Sequence, residues 1–137
     1  MSDTHTVRAF LETEHHLWAT EVSDFTSRVL LGRRPPETDD AGRTEARELL
    51  GLMGKAGLYK PIRNRDLRGA CLTRESIASA SPLADAVWAL QGLGITPLLI
   101  AGTDAHSEHD GLSRLLGVTS WVASRSQSRN LGRTWHR

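Results

Sequence analysis

Val7, Phe10, Leu11, Leu17, Trp18, Val22, Phe25 and Val29 recur three and four residues apart, interrupted by Glu14 and Glu21. That spacing places one apolar stripe along a helix of about six turns. Thr4 or Thr6 can cap its start. Gly32 and the Pro35–Pro36 pair end it, because proline cannot continue the hydrogen-bond ladder. Asp39 or Asp40 can cap a second helix running to about Ala56, with Ala46, Leu49, Leu50, Met53 and Ala56 inward and Gly57 as its C-terminal cap. No segment alternates with period two, so no sheet is expected.

Residues 58–65 read as a connection with Pro61 and cations at Lys60, Arg63 and Arg65. Asp66 can cap a third helix over 67–80. Ser81–Pro82 supplies an N-cap and a proline at the first helical position. The fourth helix carries Leu83, Ala84, Val87, Trp88 and Leu90, and Gly92 and Gly94 are expected to end it. Thr96–Pro97 then starts one short apolar turn, closed by Gly102. The expected fold is an all-α bundle of four to five helices over residues 4–104, followed by an irregular tail over 105–137.

Composition bounds what such a chain can do. Its 137 residues suit one small domain, with 39% apolar and 24% charged residues. No apolar run approaches the roughly 20 residues of a membrane span, and no signal peptide is visible. One cysteine, Cys71, excludes an internal disulfide and reads as a buried structural thiol. A cytoplasmic setting is the default. Residues 1–105 carry a net charge of −2 and residues 106–137 a net +3. The basic tail holds only two aromatics, Trp121 and Trp135, so a nucleic-acid surface is not expected.

Reactive side chains are few. His15 and His16 are adjacent, point to different helix faces and read as surface residues. His106 and His109 flank Glu108 but lack an evident third ligand, so no metal site is expected. The glycines of QGLG (91–94) and Gly102 read as helix ends, not as a phosphate cradle.

Several segments resemble, in order, the N-terminal helical domain of the acyl-CoA dehydrogenases. FLETEHHLWATEVSDF (10–25) is similar to the first helix of that family and ARELLGLMGKAGL (46–58) to the second. CLTRES (71–76) is similar to the start of the third, and LADAVWALQGLGITPLLIAGT (83–103) to the fourth with its following turn. The resemblance covers about 100 of the 137 residues, and QGLGxxPxxxAGT after CLTRE is its most specific part. KPIRNRDLRGA (60–70) departs from it: the family has a Tyr-Gly-Gly-type loop there, near flavin and substrate.

The resemblance implies α,β-dehydrogenation of an acyl-CoA thioester with FAD as the hydride acceptor. It places Asp85, Ala89, Leu90 and Leu93 on the wall of the acyl pocket; the same apolar positions can equally pack on neighbouring helices. It assigns no catalytic or cofactor-binding residue to this chain. The family continues after AGT into a flavin-holding β-domain that opens with an Ala-Leu-Thr-Glu-Pro-x-x-Gly-Ser-Asp segment. That segment is absent in frame. Reading the third base of each codon with the first two of the next, residues 122–135 permit FALTEPESGSD. A frameshift between about Ala105 and Ser107 is therefore expected. The chain would then be a truncated fragment, inactive alone and prone to self-association where apolar surface is left open. Two other classes stand beside this reading. One is a non-catalytic helical interaction module; the other is one subunit of a split dehydrogenase whose partner supplies the flavin domain.

Overall fold

The computed structural model describes residues 6–102. Thr4, the His106–His109 pair, the basic tail and the shifted frame lie outside the described residues. Among those described, five α-helices and no strand are present: α1 (Thr13–Phe25), α2 (Asp39–Lys55), α3 (Lys60–Asn64), α4 (Leu67–Ala80) and α5 (Pro82–Ala101). The chain is an all-α bundle. Helix α4 is central, packing on α1, α3 and α5, and α5 also packs on α2 and α3.

The first helix is shorter than its stripe. Leu11 and Glu12 take extended backbone, separating a 3-10 turn at Arg8–Phe10 from α1. Phe10, before that break, is exposed; within α1 the buried face is His15, Val22 and Phe25, and Leu17 falls outside it and is exposed. A π-turn at Thr26–Leu30 follows, closed by the Leu31 amide on the Thr26 carbonyl at 2.9 Å. Its extra residue per turn rotates the helix, burying Leu30 completely and leaving Val29 half-buried. It also seats Thr26 Oγ1 3.1 Å from Ser76 Oγ inside the bundle.

Local capping chemistry behaves largely as its residues dictate. Asp66 accepts from the Gly69 amide at 2.9 Å to start α4. Ser81 accepts from the Ala84 amide to start α5, with Pro82 at the first helical position. Gly57, with φ of 72°, ends α2, and Gly32, with φ of 84°, ends the π-turn. For α2 the capping residue is Thr38, one position before Asp39. Ala56 is exposed just beyond the helix and does not face inward. Residues 60–64 are helical, since Pro61 fits a first turn, and Arg65 closes them in the left-handed conformation.

The largest correction is α5. Gly92 and Gly94 do not end it, and Pro97 does not restart it: one helix runs to Ala101. Gly92 is interior because α3 crosses there. A Cβ at Gly92 would lie 2.7 Å from Ile62 Cδ1, so the glycine permits the close approach. The Thr96 hydroxyl, one residue before Pro97, donates back to the Gly92 carbonyl at 2.7 Å. Gly102 does close the helix.

The core joins Val22, Phe25 and Leu30 with Leu49 and Met53 of α2, Leu58, Tyr59, Ile77 of α4, and Ala84, Trp88 and Ile95 of α5. Each fully buried aliphatic side chain contributes about 1.5–3 kcal/mol. Two indole donors tie elements together: Trp18 to Thr73 Oγ1 at 2.9 Å and Trp88 to the Leu58 carbonyl at 3.0 Å. Among the described residues α5 alone is long and apolar enough to cross a membrane. Ala84, Trp88, Gly92 and Ile95 nevertheless pack against the other helices.

Candidate functional site

Two regions concentrate the chemistry: one flank of α5 and a cleft where α1, α3 and the start of α4 meet.

Successive turns of α5 divide between inside and outside. Ala84, Trp88, Gly92 and Ile95 face the bundle. Leu90 and Leu93 face away, 69% and 71% exposed, and Ala89 is half-buried between the two sides. Asp85 sits apart from both. Its carboxylate accepts two bonds from Arg74 of α4, at 2.8 and 2.7 Å. This bidentate pair raises the Arg74 pKa and links α4 to α5. Of the four positions assigned to an acyl pocket, Leu90 and Leu93 share an open apolar face. Ala89 borders it, and Asp85 is held by Arg74.

The cleft encloses about 500 Å³. His15 and Pro61 lie against it, with Lys60, Arg65, Asp66 and Arg68 among its charged lining. His15 is 2% exposed, which overturns its assignment to the surface; His16 is half-buried. The reason is a pair of partners. The Glu12 amide donates to His15 Nδ1 at 3.0 Å, so the neutral ring carries its proton on Nε2, which faces Asp66 Oδ1 at 3.3 Å. Burial alone pushes the Asp66 carboxyl up. The Gly69 amide, His15 and the Arg68 amide outweigh it and hold the carboxyl below its usual range. One side chain thus caps α4 and anchors the start of α1.

The cations around this cleft are already engaged. Arg65 donates to the Leu99 carbonyl in the last turn of α5 at 2.8 Å. Arg68 bridges the Phe10 carbonyl and Glu12 at 2.8 and 3.0 Å. Lys60 Nζ lies 5.6 Å from the Trp18 ring centroid, a cation–π contact. Glu12, Glu14 and His15 bring ligand-type atoms within 4.8 Å of one another. Both imidazole nitrogens are occupied and Glu12 is bound by Arg68, so the group reads as a structural network.

Cys71 is exposed on α4, not buried. Tyr59 and Trp88 stack within the core, 6.1 Å between centroids and 10° between planes. The Tyr59 hydroxyl is buried without a protein partner. Sequence reasoning missed the His15–Asp66 contact because the residues lie 51 positions apart. The only local signal was Asp66 as a helix cap.

The chain matches no family model, no curated protein and no solved structure.

Proposed function

We propose that the chain is the N-terminal helical portion of an FAD-dependent acyl-CoA dehydrogenase, inactive by itself. The observation that carries this reading is the apolar flank of α5. The helix that resembles the family's pocket-lining helix leaves Leu90 and Leu93 open beside Ala89, on a face able to lie along an aliphatic chain. The ordered series of resembling segments and the FALTEPESGSD string permitted by residues 122–135 support it from the sequence.

In that family a glutamate base removes the α-proton while FAD accepts the β-hydride. The described residues do not fit a flavin. The Tyr59 and Trp88 rings are buried on each other, Trp18 is covered by Lys60, and Arg65 and Arg68 are committed to carbonyls and a carboxylate. The role left to this chain is to present an apolar wall. Arg74–Asp85 and the Trp88–Leu58 bond fix α5 against the bundle and so hold that wall in place.

The test is to resequence the coding DNA across codons 100–140 and downstream. A one-base correction should open a frame through FALTEPESGSD into a long C-terminal half. The restored protein should be purified yellow with flavin and be bleached by an acyl-CoA. A nucleotide sequence that does not encode FALTEPESGSD in the second frame sinks the proposal. The split-dehydrogenase reading would instead be favoured by a neighbouring frame that starts with the β-domain.

A further inference from the structure

No residue of the 3-10 turn at Arg8–Phe10 is buried, and Leu11 after it is only half-buried. Apolar contact therefore contributes little to holding this turn on the bundle. Three hydrogen bonds hold it instead. The Glu12 amide donates to His15 Nδ1 at 3.0 Å, within the capping box that opens α1. Arg68, at the start of α4, donates to the Phe10 carbonyl at 2.8 Å and to Glu12 Oε1 at 3.0 Å. Both Arg68 bonds are exposed, and exposed pairs of this kind are weak. The Glu12–His15 bond is the part-buried member of the three.

That bond requires a lone pair on Nδ1. A neutral imidazole keeps one acceptor nitrogen, and a protonated imidazole keeps none. We propose that His15 is a pH-sensitive latch: the N-terminal turn is docked while the ring is neutral, and protonation at Nδ1 releases it. The inference rests on the bonding of one ring and not on the dehydrogenase reading.

The surroundings let the ring take up a proton without leaving the bundle. Nε2 faces Asp66 Oδ1 at 3.3 Å, and as an imidazolium the ring makes a charge-assisted bond there. Burial raises the Asp66 carboxyl, but the Gly69 amide and His15 outweigh it, so Asp66 stays ionised where imidazole ordinarily titrates, between about pH 5 and 8. Glu12 and Glu14 bring carboxylate oxygens within 4.8 Å of a ring nitrogen. Lys60 and Arg65 line the same cleft, and Arg68 is paired with Glu12. The turn itself carries Arg8. The three acids offset the cations lining the cleft, so no excess positive charge there bars the proton.

The cost falls on the Nδ1 side. A new N–H there points at the Glu12 N–H, donor against donor. The acceptors within reach are the Glu12 and Glu14 carboxylates. If Glu12 turns to the ring it leaves Arg68; if Glu14 does, the Glu12 amide is still displaced. In both cases the turn loses its part-buried bond. The docked form binds fewer protons than the released form. Docking therefore strengthens as pH rises and is lost as pH falls through the titration of the ring.

The full chain, labelled with 15N, is followed by NMR from about pH 8 to about pH 5. At the upper end His15 should carry its proton on Nε2, and backbone order parameters at residues 8–10 should be about 0.85. As the ring titrates, the Glu12 amide proton should lose its hydrogen-bonded shift. The order parameters of the turn should fall below about 0.6 with the same midpoint. Ile77, in the core, should stay ordered throughout. Glutamine at the third helical position also reaches back to the N-cap amide and takes no proton in this range. His15→Gln should therefore keep the turn docked at the lower end.

A neutral ring protonated on Nδ1, a turn equally ordered at both ends of the range, or a turn already mobile at the upper end overturns the proposal. Release in His15→Gln with the parent's midpoint assigns the titration to another group and refutes it as well. So does loss of order at Ile77 together with the turn, which is acid unfolding and not a latch. If His15→Gln does not fold, the coincidence of ring, amide and turn midpoints in the parent chain decides the matter.

Discussion

Replacing Tyr59 with phenylalanine should stabilise the protein. The Tyr59 hydroxyl is buried and without a protein partner, in a residue only 2% exposed. Holding such a group away from water costs about 1–3 kcal/mol. Removing it leaves a void on the order of 15 Å³, worth about 0.4 kcal/mol at about 24 cal/mol per Å³. The stack on Trp88 needs only the ring, so it survives the substitution. The net expectation is a gain of about 1 kcal/mol, or about 4 °C in Tm. Urea unfolding of the two proteins at neutral pH measures it.

Burial also raises the Tyr59 pKa above its ordinary value. Stability tied to the neutral phenol is fully present below the unfolded pKa of about 10 and is lost as pH rises above it toward the folded value. Tyr59→Phe should therefore widen its advantage over the parent chain in alkali. Tyr59 is the single tyrosine, so phenolate absorbance reports on it alone. Its titration should coincide with alkaline unfolding. A less stable Tyr59→Phe, or a phenol titrating near 10 in the folded protein, would refute the reasoning by showing that the hydroxyl is bonded or wet.

Three further outcomes follow from the same geometry. Asp66→Asn keeps an acceptor for the Gly69 amide but removes the charge facing His15. Because the folded carboxyl pKa is lowered, the parent's advantage should be present above the usual carboxylate range and vanish as pH falls through the folded value, as read from stability against pH. Gly92→Val should cost about 2–3 kcal/mol by driving into Ile62, and Ile62→Ala should recover part of it in a double-mutant cycle. Cys71 should react with a thiol reagent in native buffer as fast as in denaturant; protection of the native thiol would contradict its exposure.

The parts legible in the sequence are those set by chemistry local to a few residues. The Asp66 and Ser81–Pro82 starts and the Gly57 stop depend on side chains bonding amides two or three positions away, or on a backbone conformation only glycine takes freely. The absence of period-two alternation likewise anticipated a bundle without strands among the described residues. Helix α5 shows where local signals fail. Two glycines and a proline read as breaks, yet α5 runs through all three, and Gly92 packs against Ile62 from a separate helix. A stripe at helical spacing says which residues share a face, not which face is covered.

What the sequence by itself determined, then, is the helical period, the starts at Asp66 and Ser81, the glycine stops at Gly57 and Gly102, and the lack of charge from Ala86 to Ala101. Tertiary structure alone decided which side of each helix is inside. Leu90 and Leu93 are as apolar as Trp88 and Ile95, yet two face outward and two inward. His15 is more polar than Phe10, yet it is buried and Phe10 is not. Burial follows from whether a neighbour supplies contact and hydrogen-bond partners. For His15 one of those partners is Asp66, contributed by a distant part of the chain, and no local pattern encodes that meeting.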